Sequence, residues 1–310
     1  GPQPPDSVDD RKLKIALIGK NEDISYFEYV ARGAEEAAKN LGVDLVSAGP
    51  EIVNPDEQIR VVEEMMRDRV DLIAISAADS EKLVPVLEKA RRKGIEVVTW
   101  DADTRLSGRD FYVGMADPET LGRHLMDTLA GAMKRKGKFA ILSGSAGADN
   151  QLEWLRWIDI QREAYYPDMT LVDVLPTDGD PASATDAARR LLREHPDLAG
   201  ILGISPAASP AAAEVVMQEG KQGRVIVAGM SNPKAISPYL HDGSAQIATL
   251  WSPMKLGYLT VALAVNALNG IRPADGQHIP QVGTIRMIGD RVVMGDPLDF
   301  TEENVDDYDF

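Results

Sequence analysis

The chain has 310 residues, 44% of them hydrophobic, so it can bury a large core as one big domain or two modest ones and is not a disordered segment. Its 33 Lys and Arg against 49 Asp and Glu leave a net charge of -16, which opposes phosphate backbones and anionic lipid, so neither nucleic acid nor direct membrane insertion is expected. There is no cysteine, which excludes disulfides, thiolate zinc sites and cysteine nucleophiles, and no apolar run approaches the ~18 residues of a membrane span.

The opening GPQPPDSVDD is polar and Pro-rich. Residues 1–11 read as a flexible tether ahead of a domain that begins near Lys12, with a signal segment removed upstream. From Lys12 strand and helix alternate. KIALIGK (14–20) is a short apolar run, hence a buried strand, and 25–41 places Val30, Ala34, Ala37 and Leu41 on one helical face before Gly42 stops it. DLVSAG (44–49) is a second strand. NPDE (54–57) opens a helix, with Asn54 as cap, Pro55 in the first turn and Glu57 at the capping-box position. DLIAIS (71–76), a helix over about 80–93 and EVVTWD (96–101) follow.

A second series then begins: a helix over about 118–135, KFAILSG (138–144), a helix over about 150–166, TLVDVLP (170–176), and a helix over about 182–194. GILGIS (200–205), a helix over about 210–219 and RVIVAGM (224–230) complete it. Short connections between alternating elements predict right-handed crossovers and parallel sheets, and two such series predict two α/β lobes. QIATLWS (246–252), a helix over about 254–269 and strand pieces near 282–294 end the chain.

In open α/β sheets ligands lie at the carboxyl ends of strands. Lys20, Ser76, Asp79, Asp101, Asp103, Asn150, Gln151, Ser205, Pro206, Met230, Ser231 and Trp251 all fall at such ends. Polar groups therefore gather on one edge of each lobe.

These residues carry a resemblance. IALIGKNEDISYF, GIEVVTWDADT, ILSGSAGADNQLEW, SPAASPAAAE, VAGMSNP, LWSPMKLGYL and the terminal FTEENVDDYDF are similar to the type I periplasmic solute-binding proteins of ABC sugar importers, in the branch of the rhamnose-binding and autoinducer-2-binding proteins. The resemblance implies two doubly wound parallel-sheet lobes joined by three hinge strands and closing on one small polar molecule. The division expected is 12–112 plus about 250–280 for the N-terminal lobe, and 113–249 plus about 281–310 for the C-terminal lobe. It implies ligand contacts at Lys20, at the aromatic pair Tyr26 and Phe27, at Asp101 and at Asn150 and Gln151. The chain has Asn150 where autoinducer-2 binders have Asp, Ile204 and Pro206 where they have Pro and Ala, Ser231 where ribose binders have Asp, and Trp251 where they have Gln. Neither ligand transfers directly.

Asp101 and Asp103 suit vicinal hydroxyls, since a carboxylate accepts two or more hydrogen bonds; the plainer readings are solvated loop acids or capping residues. A glycosidase pair is a third reading, but nothing supplies a substrate groove or leaving-group site. Lys20 is a donor to ligand oxygens or a surface lysine. Of Tyr26 and Phe27, one covers a sugar ring and the other faces the core. Trp154 and Trp157 lie three apart on one helix, at least one of them structural, and Trp100 should face away from Asp101 into the core. GSAG (144–147) is no P-loop, and His124, His195, His241 and His278 lack metal-ligand spacing. The acidic tail lacks the EF-hand pattern and is expected to dock through Phe300, Tyr308 and Phe310.

The reading is a non-enzymatic, extracytoplasmic receptor for a small sugar or polyol (rhamnose-like, a pentose or a tetritol). It needs no metal or cofactor, its partner is an ABC transporter permease, and it sits in the periplasm or outside the cell, lipid-anchored through its removed N-terminal segment. The alternatives are the ligand-binding core of a LacI-type transcription regulator, which needs an N-terminal helix-turn-helix, and an autoinducer-2 receptor. An enzyme would need a nucleophile–base pair or cofactor motif that the sequence does not display.

Overall fold

In the computed structural model, which describes residues 11–21, 25–144, 149–177, 180–295 and 297–310, the chain divides into two units. Unit 1 is Gly1–Met115 with Pro253–Gly295, and unit 2 is Ala116–Ser252 with Asp296–Phe310. The chain thus passes between them three times, after Met115, Ser252 and Gly295.

In chain order, unit 1 opens with β1 (Lys14–Ile18), α1 (Ser25–Leu41), β2 (Asp44–Ala48), α2 (Pro55–Arg67), β3 (Leu72–Ile75), α3 (Val84–Arg92), β4 (Glu96–Trp100) and β5 (Tyr112–Gly114). Unit 2 follows with α4 (Pro118–Ala132), β6 (Gly137–Ser143), α5 (Asp149–Tyr165), β7 (Met169–Pro176), α6 (Pro181–Glu194), β8 (Gly200–Gly203), α7 (Ala208–Gln218), β9 (Ile226–Met230), α8 (Pro233–Asp242) and β10 (Ile247–Leu250). The chain returns to unit 1 for α9 (Pro253–Leu268), β11 (His278–Ile279), β12 (Gly283–Thr284), β13 (Arg286–Ile288) and β14 (Arg291–Val293), and ends in unit 2 with β15 (Leu298–Phe300).

Each unit has its own sheet. In unit 1 the order is β13-β14-β5-β4-β3-β1-β2, parallel except for β13. In unit 2 it is β15-β10-β9-β8-β6-β7, parallel except for β15. The inner strands read as unbroken apolar runs because helices cover both faces. All four residues of β3 and of β8 are buried. Ile18, Ile73, Ile75, Leu83, Leu87 and Val97 form part of the unit 1 core beneath α2 and α3.

The helix starts follow local chemistry. The Asn54 side chain accepts from the amides of Asp56 and Glu57 at 2.9 and 3.2 Å, capping α2 as expected. Glu57 pairs with Arg60 on the same helix. Asn232 caps α8 in the same way, accepting from Ala235 N at 2.8 Å. The α1 and α9 backbones are in contact through glycine: a Cβ on Gly33 would overlap the Met254 carbonyl, and one on Gly257 would overlap the Val30 carbonyl.

The expected domain division needs two corrections, the first being that residues 113–115 stay in unit 1, where β5 pairs with β4. Residues 281–295 do not join the second lobe, because β14 extends the unit 1 sheet beside β5, with Val292 opposite Val113. β5 would otherwise present an unpaired edge, and the fully buried Val292 seals it. The terminal aromatics behave as expected: the ring centroids of Phe300 and Tyr308 are 4.8 Å apart, and those of Phe300 and Phe310 6.1 Å apart.

Candidate functional site

In each sheet the order reverses beside the first strand, between β1 and β3 in unit 1 and between β6 and β8 in unit 2. In open α/β sheets the loops that leave neighbouring strands at such a reversal run in opposite directions, which is where ligands are generally bound. A glutamine spans each reversal. In unit 1 Gln58 Nε2 donates to Gly19 O at 3.1 Å and Ser76 O at 2.7 Å, while Ala78 N donates to its Oε1 at 2.8 Å. In unit 2 Gln151 Nε2 donates to Ile204 O at 3.1 Å and Gly144 N donates to its Oε1 at 2.9 Å. Gln58 is wholly buried, and its role escaped the sequence reading. A glutamine in the first turn of a helix, otherwise read only for its cap, was the available signal.

In unit 1 the structure brings together Lys20, Tyr26, Ser76 and Asp101. Tyr26 OH donates to Asp101 Oδ1 at 3.2 Å, and Ser76 Oγ donates to Oδ2 at 3.5 Å. Burial pushes the Asp101 carboxyl above its ordinary value, opposed by the Lys20 ammonium and by the Tyr26 and Ser76 hydrogen bonds. Phe27 packs edge-on to both Tyr26 and Trp100, with centroids at 5.4 and 5.7 Å, so of the aromatic pair it is the core member. Trp100 is 1% exposed, as expected for a side chain facing away from Asp101, and its Nε1 donates to Ala74 O at 3.0 Å.

The backbone at Asp101 is unusual. Its φ is 63°, and Ala102 N donates to Trp100 O, two residues back, at 2.7 Å. Asp101 is therefore the central residue of a γ-turn of the less common hand. A non-glycine residue held there costs roughly 1–3 kcal/mol and persists where its surroundings fix it. Three hydrogen bonds do so: Asp101 N to Val113 O at 3.0 Å, Ala77 N to Ala102 O at 2.9 Å, and Tyr112 OH to Asp101 O at 2.6 Å.

This turn separates the two acids. Asp103 is not beside Asp101 on an extended strand end; its oxygens are held by protein. Thr99 Oγ1, Thr104 N and Arg109 Nε donate to Oδ1 at 2.6, 2.8 and 2.9 Å, and Arg109 Nη2 donates to Oδ2 at 2.7 Å. Asp103, expected as a ligand contact, lies in an internal ion pair with an arginine that also holds Asp290.

In unit 2 Ser205 follows β8 and precedes α7. Its Oγ is, among the described residues, the one buried side-chain polar atom with no hydrogen-bond partner. The first turn of α7 approaches the β8 end closely because Gly203 carries no Cβ, which would stand 2.7 Å from Ser209 N. Pro206 is exposed beside it. Ser231 is buried and donates from Oγ to Asn232 O at 2.9 Å, while Trp251, after β10, is 5% exposed. Trp154 is buried at 4% on the α5 side facing the core, where Gly122 of α4 has room only for hydrogen against its carbonyl. The side chain of Asn150 and residues 145–148 lie outside the described residues.

Among the described residues, one trio brings metal-ligating atoms within 4.8 Å of one another, Asp173, Glu194 and His195. Arg190 already holds Glu194 at 2.8 Å there. No helix of the described residues is long and apolar enough to cross a membrane.

A family model described as periplasmic binding protein domain matches residues 15–272. The D-ribose/D-allose-binding protein of Pseudomonas aeruginosa is 29% identical over 276 residues, 84% of each chain. A solute-binding protein of an ABC transporter from Burkholderia graminis C4D1M, solved with D-arabinose, is 28% identical, with a TM-score of 0.83 over 97% of this chain and 99% of that one. Another from Clostridium phytofermentas, solved with L-rhamnose, is 25% identical, with a TM-score of 0.85 over 96% of this chain and 98% of that one. The family match takes in the carboxyl ends of β1 to β10, and on it the chain belongs to the periplasmic binding protein domain family.

Proposed function

We propose that this protein is the extracytoplasmic receptor of an ABC importer, that it binds a small neutral sugar or polyol without altering it, and that it hands the ligand to the transporter's permease. We place it in the periplasm or outside the cell, lipid-anchored through a removed N-terminal segment. The observation that carries the reading is the Asp101 carboxylate, raised on a γ-turn among Lys20, Tyr26 and Ser76 at the unit 1 reversal. A carboxylate beside a lysine offers acceptors and donors with little net charge, which suits vicinal hydroxyls better than an anion.

Further support comes from unit 2, where the unpaired Ser205 hydroxyl supplies a group that a ligand hydroxyl would satisfy. The relatives named or solved with D-ribose, D-allose, D-arabinose and L-rhamnose all take neutral polyhydroxylated molecules. The ligand set of this reading is Lys20, Tyr26, Ser76, Asp101, Asn150, Ser205, Pro206, Ser231 and Trp251. Phe27, Gln151 and Trp154 support it from behind, and Asp103 belongs to the framework.

The test is a thermal-unfolding screen against pentoses, deoxyhexoses, tetritols and autoinducer-2, followed by calorimetry. A ligand at 100 times its dissociation constant adds about 2.7 kcal/mol to stability. The bound sugar should be recovered unchanged. A screen in which no polyol raises the midpoint, or in which the sugar is converted, rejects the reading.

A further inference from the structure

We infer that Tyr112 is a positioning residue for ligand capture: its hydroxyl fixes the Asp101 carbonyl, and with it the turn that aims the Asp101 carboxylate. The inference rests on the proposed role of Asp101 in binding.

Tyr112 lies on β5, one strand away from the turn. Its OH donates to Asp101 O at 2.6 Å, a short bond between neutral groups. A γ-turn leaves its central carbonyl outside the turn's own hydrogen bond, so that oxygen needs an external donor. Tyr112 supplies it, and swinging this peptide would move the Cα–Cβ bond of Asp101 and so both carboxylate oxygens.

The ring is itself held. Tyr112 and Gly114 lie two apart on β5, on the same face of the sheet. A Cβ on Gly114 would stand 2.7 Å from Tyr112 Cε1 and 3.3 Å from its OH, so the ring lies flat where a side chain at 114 would be. Across the sheet Arg291 pairs with Tyr112 in register, and its guanidinium stacks over the ring at 5.2 Å from the centroid. Tyr112 is 6% exposed, and its hydroxyl acts on the backbone. Burial, then the Asp101 charge, pushes its pKa up, so the proton needed for donation stays on.

The test compares Tyr112→Phe, Asp101→Ala and the double variant, using whichever of D-ribose, D-allose, D-arabinose and L-rhamnose binds the wild-type protein most tightly. Tyr112→Phe keeps the ring, its glycine slot and its stacking. It should weaken binding about tenfold, the loss of roughly one hydrogen bond. In the Asp101→Ala background the same change should cost under about twofold, because there is no carboxylate left to aim.

A ligand-free readout accompanies this. Amide exchange at Ala102, the donor that closes the turn, should speed up about tenfold in Tyr112→Phe, while Val98 within β4 keeps its rate. Wild-type affinity and exchange in Tyr112→Phe, with a large loss in Asp101→Ala, overturn the positioning role and leave the site intact. An equal loss from Tyr112→Phe in both backgrounds assigns Tyr112 a general structural role and also overturns it. Undiminished affinity in Asp101→Ala, or no binding of any of the four sugars by the wild type, overturns the site reading itself and this inference with it.

Discussion

Arg109 grips Asp103 through two parallel donors, Nε to Oδ1 at 2.9 Å and Nη2 to Oδ2 at 2.7 Å, from a side chain only 1% exposed. Such a fork satisfies both partners at once, and removing one leaves a buried charge without its match. Asp103→Ala should therefore lower unfolding stability by about 2–3 kcal/mol, since only the half-exposed Asp290 then faces the guanidinium. Asp101→Ala, two residues away, should leave the unliganded fold stable and lose ligand. Urea unfolding and calorimetry on both variants check the contrast; equal effects of the two on affinity would return Asp103 to the ligand set.

Asp101 itself should be a stability cost in the unliganded protein. Burial holds its carboxyl above the ordinary value of 3.8, so the native state keeps a proton that the unfolded state releases. Stability therefore falls as pH rises from 3.8 through the raised native value, and below 3.8 both states are protonated and the effect is gone. Asp101→Asn keeps the shape and tolerates the positive φ. It should be more stable than wild type at pH 7, show no advantage near pH 3, and bind more weakly. Unfolding midpoints across pH measure this, and a variant less stable than wild type at pH 7 contradicts it.

The contact of α1 with α9 predicts a steep response to one methyl group. Gly33→Ala and Gly257→Ala each drive a Cβ into a backbone carbonyl, which cannot rotate away as a side chain would. Each should cost about 3 kcal/mol or more, above the usual range for an added methylene. Gly131→Ala on α4, where the Cβ meets nothing within 4 Å, is the control and should be neutral or slightly stabilising. Thermal midpoints settle the ranking.

Gln58 predicts a pH-dependent variant. In Gln58→Glu an acceptor replaces the amide nitrogen that serves Gly19 O and Ser76 O. At pH 7 the buried carboxylate faces two carbonyls and should cost about 3 kcal/mol or more. Its native pKa must rise above the ordinary ~4.3, so the loss should shrink as pH falls through that raised value. A pH-independent loss would mean the loops had moved to let water in.

The strands of the two parallel sheets were legible because burial on both faces leaves an uninterrupted apolar run, as in Leu72–Ile75 and Gly200–Gly203. β5 was not, because three residues carry no period. Pairing of β14 with β5 joins residues nearly 180 apart, and no local pattern encodes such a partner. α8 was legible in principle: the Asn232-Pro233 step repeats the Asn54-Pro55 signal but was not read as a helix start. At the candidate site, strand-end position singled out Asp101, Ser76 and Lys20, which the fold brings together. Asp103 lies two residues further on, and the φ of 63° at Asp101 turns the chain there, a backbone feature that no residue pattern announces. Tyr112 and Arg109 act on backbone and framework from other strands and loops, and their chemistry is visible only once the chain is folded.

The two glutamines that span the sheet reversals have a consequence for where such a protein can work. An amide has no proton to gain or lose over the range a cell meets. The loops joined by Gln58 and by Gln151 therefore keep the same donors and acceptors in acid or alkaline surroundings. Outside the cytoplasm acidity follows the medium and is not buffered by metabolism. On the proposed function, the Asp101 carboxylate responds to that acidity while the frame that carries it stays indifferent.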